Sequence, residues 1–234
     1  MALTYGVPII TEVIGIGIIM DWKRQREQMV RFQIRNRGVG EERILSAFLR
    51  VPRHVFVSDA LRSESYCDHP LPIGRNQTVS QPYIVALMTQ QLDVRASHRI
   101  LEIGTGCGYQ TAILGELANE VYSIEIIPEL MNIARGNLQY LRYDNIHLRA
   151  GDGLAGWEEQ APFDGIIVTA APATVPMPLL KQLKPGGEMV VPVGTLSQSL
   201  LRISKRENGK IVKKSIARVR FVPMTGEIAE GGNS

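Results

Sequence analysis

The amino-acid sequence predicts an α/β protein: a doubly wound, mostly parallel seven-stranded sheet with an antiparallel C-terminal hairpin. Three observations predict it. From residue 98 onward, short apolar runs alternate with helix-length segments, the pattern of repeated βα units. The first of these runs ends in a glycine-rich loop, Gly104-Thr105-Gly106-Cys107-Gly108. Near the end, two strand-like runs flank Asn208-Gly209, the strongest short hairpin signal.

The composition agrees. A chain of 234 residues that is 44% apolar and 21% charged is built like a globular domain, not a disordered one. The net charge of +3 is too small for the basic footprint of a nucleic-acid binder. Cys67 and Cys107 are too few for a disulfide framework or a cysteine-rich zinc site, and they suit a reducing cytoplasm.

Taken in order, Val7–Met20 is a largely apolar run interrupted by Thr11 and Glu12. As a helix it reaches about 21 Å, short of the roughly 30 Å of a hydrocarbon core. No Lys or Arg precedes it, so it lacks the basic start of a secretory signal. Residues 1–20 are read as an extension outside the fold, with Met20 as the alternative start. Residues 21–37 and 41–50 read as helices separated by Gly38 and Gly40. In the second, Ile44, Leu45, Phe48 and Leu49 make one apolar face, and Pro52 ends it. Residues 64–80 read as loop, with Pro70, Pro72 and Gly74. Pro82 suits the first turn of a helix running to about Leu92.

The alternating region follows. Strands are expected at 99–103, 120–124, 146–149, 163–169 and 188–193. Helices are expected at 109–117, 128–141 and 178–183. The hairpin strands are 199–205 and 211–222. The organisation is therefore an extension (1–20), helices and a substrate and cofactor loop (21–97), a cofactor-binding α/β core (98–226) forming one domain with 21–97, and a tail (227–234).

Strand, glycine loop and helix at the first βα turn occupy the nucleotide-cofactor position of doubly wound folds. Gly104, Gly106 and Gly108 let backbone approach a ligand, and Thr105 lies between them. The competing reading is a tight turn that needs glycine only for its backbone angles. The spacing departs from the dinucleotide pattern, since Tyr stands at 109 and Gly at 108. Glu102 could receive a cationic amino group, or be a solvated strand-end carboxylate. Glu125 ends the second strand, where an acid accepts hydrogen bonds from ribose hydroxyls; the alternative is a solvated loop acid. Asp152 between Gly151 and Gly153 could meet an adenine amino group, or simply turn the chain. The glycine loop, Glu125 and the Asp152 turn fall at the ends of successive strands on one sheet edge, which makes them stronger together than singly.

These residues, with the turn at Leu183-Lys184-Pro185-Gly186-Gly187, resemble the class I S-adenosylmethionine-dependent methyltransferases. Leu71-Pro72-Ile73-Gly74-Arg75-Asn76-Gln77-Thr78-Val79-Ser80-Gln81-Pro82 resembles the signature loop of the protein-L-isoaspartate O-methyltransferase family. Val51-Pro52-Arg53, the run from Gly104 to Ala112, Val168-Thr169-Ala170-Ala171-Pro172 and Arg220-Phe221-Val222-Pro223-Met224 are similar too. The likeness spans roughly residues 22–226. Residues 1–20 have no counterpart in it, and Cys107 stands where Ser is expected.

The resemblance implies a Rossmann-like methyltransferase that uses S-adenosylmethionine to methylate the free α-carboxylate of isoaspartyl residues in damaged proteins and peptides. The ester then cyclises to succinimide, and part of it returns to aspartate. The resemblance makes Ser80 catalytic, through a hydroxyl hydrogen bond that orients the acceptor or the donor; alternatively Ser80 N-caps the helix containing Pro82. Thr78 and Val79 would line the cofactor face, and Thr225 would close over it. Gly104, Thr105, Gly106, Gly108, Glu102, Glu125, Asp152 and Gly153 would hold the cofactor. Thr169, Ala170 and Ala171 would leave room for the substrate backbone. An α-carboxyl acid has a pKa near ~3.5, so the nucleophile is already ionised and no base is needed. His54, His69, His98 and His147 are read as structural or solvated. No metal, nucleic acid or membrane partner is expected, and the chain is read as a cytoplasmic monomer. The rival readings are a class I methyltransferase acting on a small molecule or RNA, and a non-catalytic nucleotide-binding or NAD-dependent protein.

Because the patterned sequence begins near Asp21, a chain starting at Met20 should keep its thermal midpoint and its methyl transfer to an isoaspartyl peptide. Loss of either would mean that the apolar run packs on the domain.

Overall fold

The computed structural model describes residues 21–226. The expected extension at 1–20 and tail at 227–234 lie outside the described residues. Residues 22–37 form one helical run whose hydrogen bonding changes along its length. Helix α1 (Trp22–Gln28) is followed by a π turn, Met29–Ile34, and a 3₁₀ turn, Arg35–Arg37. Asp21 caps the start by accepting from the Arg24 amide at 2.9 Å. The single helix expected here is thus three segments. The widened i→i+5 turn keeps Met29 and Ile34, five residues apart, in the core together. Helix α2 (Glu42–Arg50) buries Ile44, Leu45, Ala47 and Phe48. Leu49, expected on that face, is exposed, and Ala47 takes its place.

Two 3₁₀ turns follow, Arg53–Phe56 and Asp59–Glu64. Residues 64–80 do not stay a loop: β1 (Leu71–Gly74) and β2 (Gln77–Val79) pair as a small antiparallel hairpin. Its two-residue turn puts Arg75 and Asn76 at φ 53° and 57°, the twist that suits tight hairpins. The prolines and the unusual arginine in the turn hide this hairpin from a sequence reading. Helix α3 (Pro82–Leu92) has the expected bounds, with proline in its first turn.

The main sheet contains β3 (Arg99–Ile103), β4 (Glu120–Glu125), β5 (Ile146–Ala150), β6 (Phe163–Val168), β7 (Leu183–Val193), β8 (Gln198–Lys205) and β9 (Ile211–Val219). Its order is β5-β4-β3-β6-β7-β8-β9. The first five are mutually parallel, and β8 and β9 add antiparallel. Helices α4 (Tyr109–Gly115), α5 (Pro128–Tyr140) and α6 (Met177–Gln182) connect them. The doubly wound, mostly parallel seven-stranded sheet is therefore present. Strand β7 begins earlier than expected: Leu183 pairs with Phe163, and a register shift then carries the ladder past the Lys184–Gly187 turn. Strand β9 ends earlier, at Val219, because Val222–Met224 leaves the hairpin to bond across Ala171 instead. The Ala171 amide donates to the Val222 carbonyl and the Met224 amide to the Ala171 carbonyl, each at 2.9 Å.

Alternate residues of the central strands feed two cores, as a period of two requires. Ile100, Val121, Ile167 and Val190 pack with α3 and α4, while Leu101, Ile103, Ile166, Val168 and Met189 pack with α6. Among the described residues, strand β9 is a free edge, and it exposes Lys213, Lys214 and Arg218. After β3 the chain winds to β4 and β5, and after β6 it winds the other way to β7. The switch point between β3 and β6 is where ligands bind in such sheets.

Phe163, at the start of β6, is fully buried, with its ring 5.6 Å from Tyr122. Phe163→Ala should cost about 3–5 kcal/mol in urea unfolding. A cost below ~1 kcal/mol would mean that the second core closes over the gap.

Candidate active site

Gly104 follows β3 and Thr169 follows β6, and the switch point brings them into contact. The Thr169 hydroxyl donates to the carbonyls of Gly104 (2.6 Å) and Ile103 (3.0 Å). A Cβ on Gly104, which has φ 94°, would fall 2.3 Å from that hydroxyl oxygen, so only glycine fits. An open cleft lies over these loops. The hairpin residues Thr78 and Val79 line it, as do Ser80, Gly104, Thr105, Gly106, Glu125, Gly153, Thr169, Ala170 and Thr225. Elements far apart in sequence thus meet at one place.

The Glu125 carboxylate accepts from the Gly106 amide at 2.8 Å and from the Ile127 amide at 2.9 Å. It is 5% exposed and lines the cleft, so it is no solvated loop acid. Two amides occupy two of the roughly four acceptor positions of a carboxylate, which leaves capacity for hydroxyl donors. The bare backbone of the glycine loop, this acid and the apolar wall of Ile126, Ile127 and Leu130 fit a ribose-bearing cofactor with a flat ring.

Glu102 is placed differently. It is fully buried, does not line the cleft and is not the solvated carboxylate that was one expectation. Thr111 and Ser123 donate to its Oε2 at 2.5 and 2.7 Å, and Thr105 bonds Ser123 at 2.6 Å. Burial pushes its pKa up to about 8, against the opposing pull of these two hydroxyls. At neutral pH burial favours its protonated form, and its Oε1 has no hydrogen-bond partner among the described residues. It fastens the glycine loop, β4 and α4 from behind. Strand alternation could have signalled this, because Glu102 shares the face of the buried Ile100.

Gly108 and Asp152 also stand off the cleft wall. Gly108, at φ 91°, turns into α4 and faces Leu138 and Ala134. Asp152 accepts from the Leu154 amide at 2.8 Å. The backbone of Gly226 crosses so near that a Cβ there would lie 2.6 Å from either carboxylate oxygen. Ala171 is buried and contributes backbone bonds to Val222 and Met224 instead of open space. Ser80 does not cap α3: the cap position is Gln81, and the Ser80 hydroxyl has no hydrogen-bond partner among the described residues. The capping alternative is therefore excluded. None of the four histidines lines the cleft; His54 stacks on Trp22 and bonds the Tyr66 hydroxyl at 2.8 Å. Sequence reasoning passed over Ile73, Met88, Tyr109 and Gln110, which also line the cleft. Tyr109 and Gln110 follow the glycine loop directly, and that adjacency was the available signal.

The model of the protein-L-isoaspartate(D-aspartate) O-methyltransferase family matches residues 24–229. A protein-L-isoaspartate O-methyltransferase of Picosynechococcus sp. is 52% identical over 201 residues, covering 86% of this chain and 90% of the relative. One from Syntrophus aciditrophicus is 50% identical over 214 residues, covering 90% and 98%. Among solved structures, a protein-L-isoaspartate O-methyltransferase superposes with a TM-score of 0.79 at 30% identity, over 86% of this chain and 66% of that one. A Plasmodium falciparum beta-aspartate methyltransferase in complex with S-adenosyl-L-homocysteine superposes with a TM-score of 0.75 at 24% identity, over 87% and 98%; at that identity the likeness concerns the fold.

Glu102 carries a pH signature. Between its ordinary 4.5 and about 8, the folded protein holds a proton that the unfolded chain has released. Stability therefore falls as pH rises through that window and levels off above it. Glu102→Gln keeps the shape and removes the titration. Its thermal midpoint should gain on the wild type between pH 4.5 and about 8 and then run parallel. A difference independent of pH would show that Glu102 is ionised in the fold.

Proposed function

The chain belongs to the protein-L-isoaspartate(D-aspartate) O-methyltransferase family, and from that premise we propose that Ser80 aligns the transferring groups over a cofactor held by the glycine loop and Glu125. The reaction is methyl transfer from S-adenosylmethionine to the free α-carboxylate of L-isoaspartyl residues in damaged proteins and peptides, the first step of their repair. When bound, S-adenosylmethionine supplies a sulfonium methyl group as the electrophile.

One observation carries the proposal for Ser80. The residue lines the same cleft as the glycine loop, and its hydroxyl has no hydrogen-bond partner among the described residues. It is free to donate to a carboxylate oxygen of the acceptor. No residue has to remove a proton, because the acceptor carboxylate is ionised at neutral pH. Glu125 accepts from the ribose hydroxyls, and the amides it already binds hold it in place. Thr78 and Val79 cover the cofactor from the hairpin side, Thr105, Gly106 and Gly153 from the sheet side, and Thr225 from the C-terminal side. Glu102, Gly108 and Asp152 support that cofactor site from behind. Thr169 and Ala170 border the acceptor's place, and Ala171 anchors the segment beyond it. Opposite charges are neutralised as the methyl group moves, so apolar walls that thin out water favour the step.

The same reading takes the chain as a monomer in the cytoplasm, with neither nucleic acid nor membrane as partner. Both cysteines are free, as suits a reducing compartment. Among the described residues, no helix is long and apolar enough to cross a membrane.

Ser80→Ala should slow methylation of an isoaspartyl peptide about tenfold to a hundredfold. That is less than is lost where an anion develops, because here charge is dissipated. The dissociation constant of S-adenosylhomocysteine in calorimetry should move by no more than a few fold, and the thermal midpoint should hold. Ser80→Thr, which keeps a hydroxyl, should retain part of the rate. The aspartyl twin of the peptide should remain unmethylated throughout. Full turnover in Ser80→Ala would remove Ser80 from catalysis.

A further inference from the structure

Val51-Pro52-Arg53 carries part of the family likeness, yet Arg53 does not line the cleft. Its side chain is 0% exposed and heads the largest fully buried side chains. Among the described residues it forms no ion pair. Its Nε donates to the Ser65 carbonyl at 2.8 Å and its Nη2 to the Ser80 carbonyl at 2.8 Å. The guanidinium lies over the Tyr109 ring, 4.7 Å from its centroid, and Nη1 has no hydrogen-bond partner among the described residues. Burial pulls its pKa below the ordinary arginine value.

Burying a charge without a counter-ion is expensive, and an apolar side chain of similar volume fills such a space more cheaply. What an apolar residue lacks is the planar fork, which sets the angle between two acceptors while its face rests on a ring. Arg53 uses that fork on three separate segments: the turn ending at Ser65, the loop between β2 and α3, and the first residue of α4. Ser80 and Tyr109 both line the cleft. The Ser80 hydroxyl has no hydrogen bond of its own to aim it, so its direction follows from the backbone. The Arg53 bond to the Ser80 carbonyl fixes that backbone, and the Gln81 side chain adds a tie to the Asp68 carbonyl at 2.9 Å.

We propose that Arg53 is a positioning residue for methyl transfer: through the Ser80 carbonyl it aims the Ser80 hydroxyl, and through the Tyr109 ring it holds that loop in register with the cofactor loop. The proposal rests on the role given to Ser80 above.

The test compares wild type, Arg53→Lys, Arg53→Gln, Ser80→Ala and the double variant Arg53→Lys/Ser80→Ala, each with its thermal melt. Lysine keeps the charge but loses the fork, and glutamine keeps a neutral donor where a buried ammonium is not tolerated. Arg53→Lys should lower kcat about tenfold, since small misplacements cost rate steeply. The peptide KM and the S-adenosylhomocysteine dissociation constant should stay within about threefold. The double variant should be no more than about threefold slower than Ser80→Ala, whereas independent roles would multiply the two losses. Full kcat in the variants, cofactor affinity falling in step with kcat, or losses that multiply would each overturn the proposal. So would the lack of a cooperative melt above the assay temperature in both Arg53→Lys and Arg53→Gln, because Arg53 would then be a folding element. Ser80→Ala at full turnover would remove the Ser80 role, visible in that arm alone. Arg53→Lys at full turnover beside a slow Ser80→Ala would remove only the Arg53 proposal.

Discussion

The contact between Gly104 and Thr169 is the constraint on which the rest of the site depends. Strands β3 and β6 are neighbours in the sheet but diverge in the chain, so their exits have to part without leaving backbone groups unpaired. Thr169 does this with one side chain. Its amide donates to the Ile103 carbonyl at 2.9 Å, and its hydroxyl takes up the Gly104 carbonyl. The ladder is thereby extended one rung beyond the last strand residue. The hydroxyl occupies the space that any side chain at 104 would need. The cleft opens above this rung because nothing bulky stands there.

Three acids lie near that opening in three different settings. Glu125 accepts from two backbone amides and keeps acceptor capacity toward the cleft. Asp152 caps a short turn and lies under the backbone of Gly226. Glu102 is neutral, and its value is mechanical: hydroxyls from the glycine loop, β4 and α4 converge on it directly or through Ser123. A charged carboxylate in that position would oppose Glu125 across the loop. Keeping it protonated lets one acid hold the loop rigid while the other serves the ligand.

Much of this was legible in the sequence. The bounds of β3 and α3 were readable because Pro82 marks a helix start and Arg99–Ile103 is a clean apolar run. The parallel order and the closing hairpin followed from the βα alternation and from Asn208-Gly209. What escaped depended on tertiary partners. The β1–β2 hairpin is short, carries proline, and turns through an arginine in a left-handed conformation, so no local rule announces it. Glu102 shares a strand face with the buried Ile100, but the Thr111 and Ser123 hydroxyls that hold it come from other elements. Arg53, in a polar-looking Pro-Arg-His string, has no pattern that foretells complete burial. The residues that line the cleft were easier to find than those that hold the lining in place.

The free edge at β9 has its own consequence for a protein that works on damaged polypeptides. Altered chains are often partly unfolded, and an unfolded chain readily adds to an open sheet edge as one more strand. Along β9 such an addition would have to strip water from Lys213, Lys214 and Arg218. That deters a clientele of sticky, extended chains from nucleating aggregates on the machine that mends them.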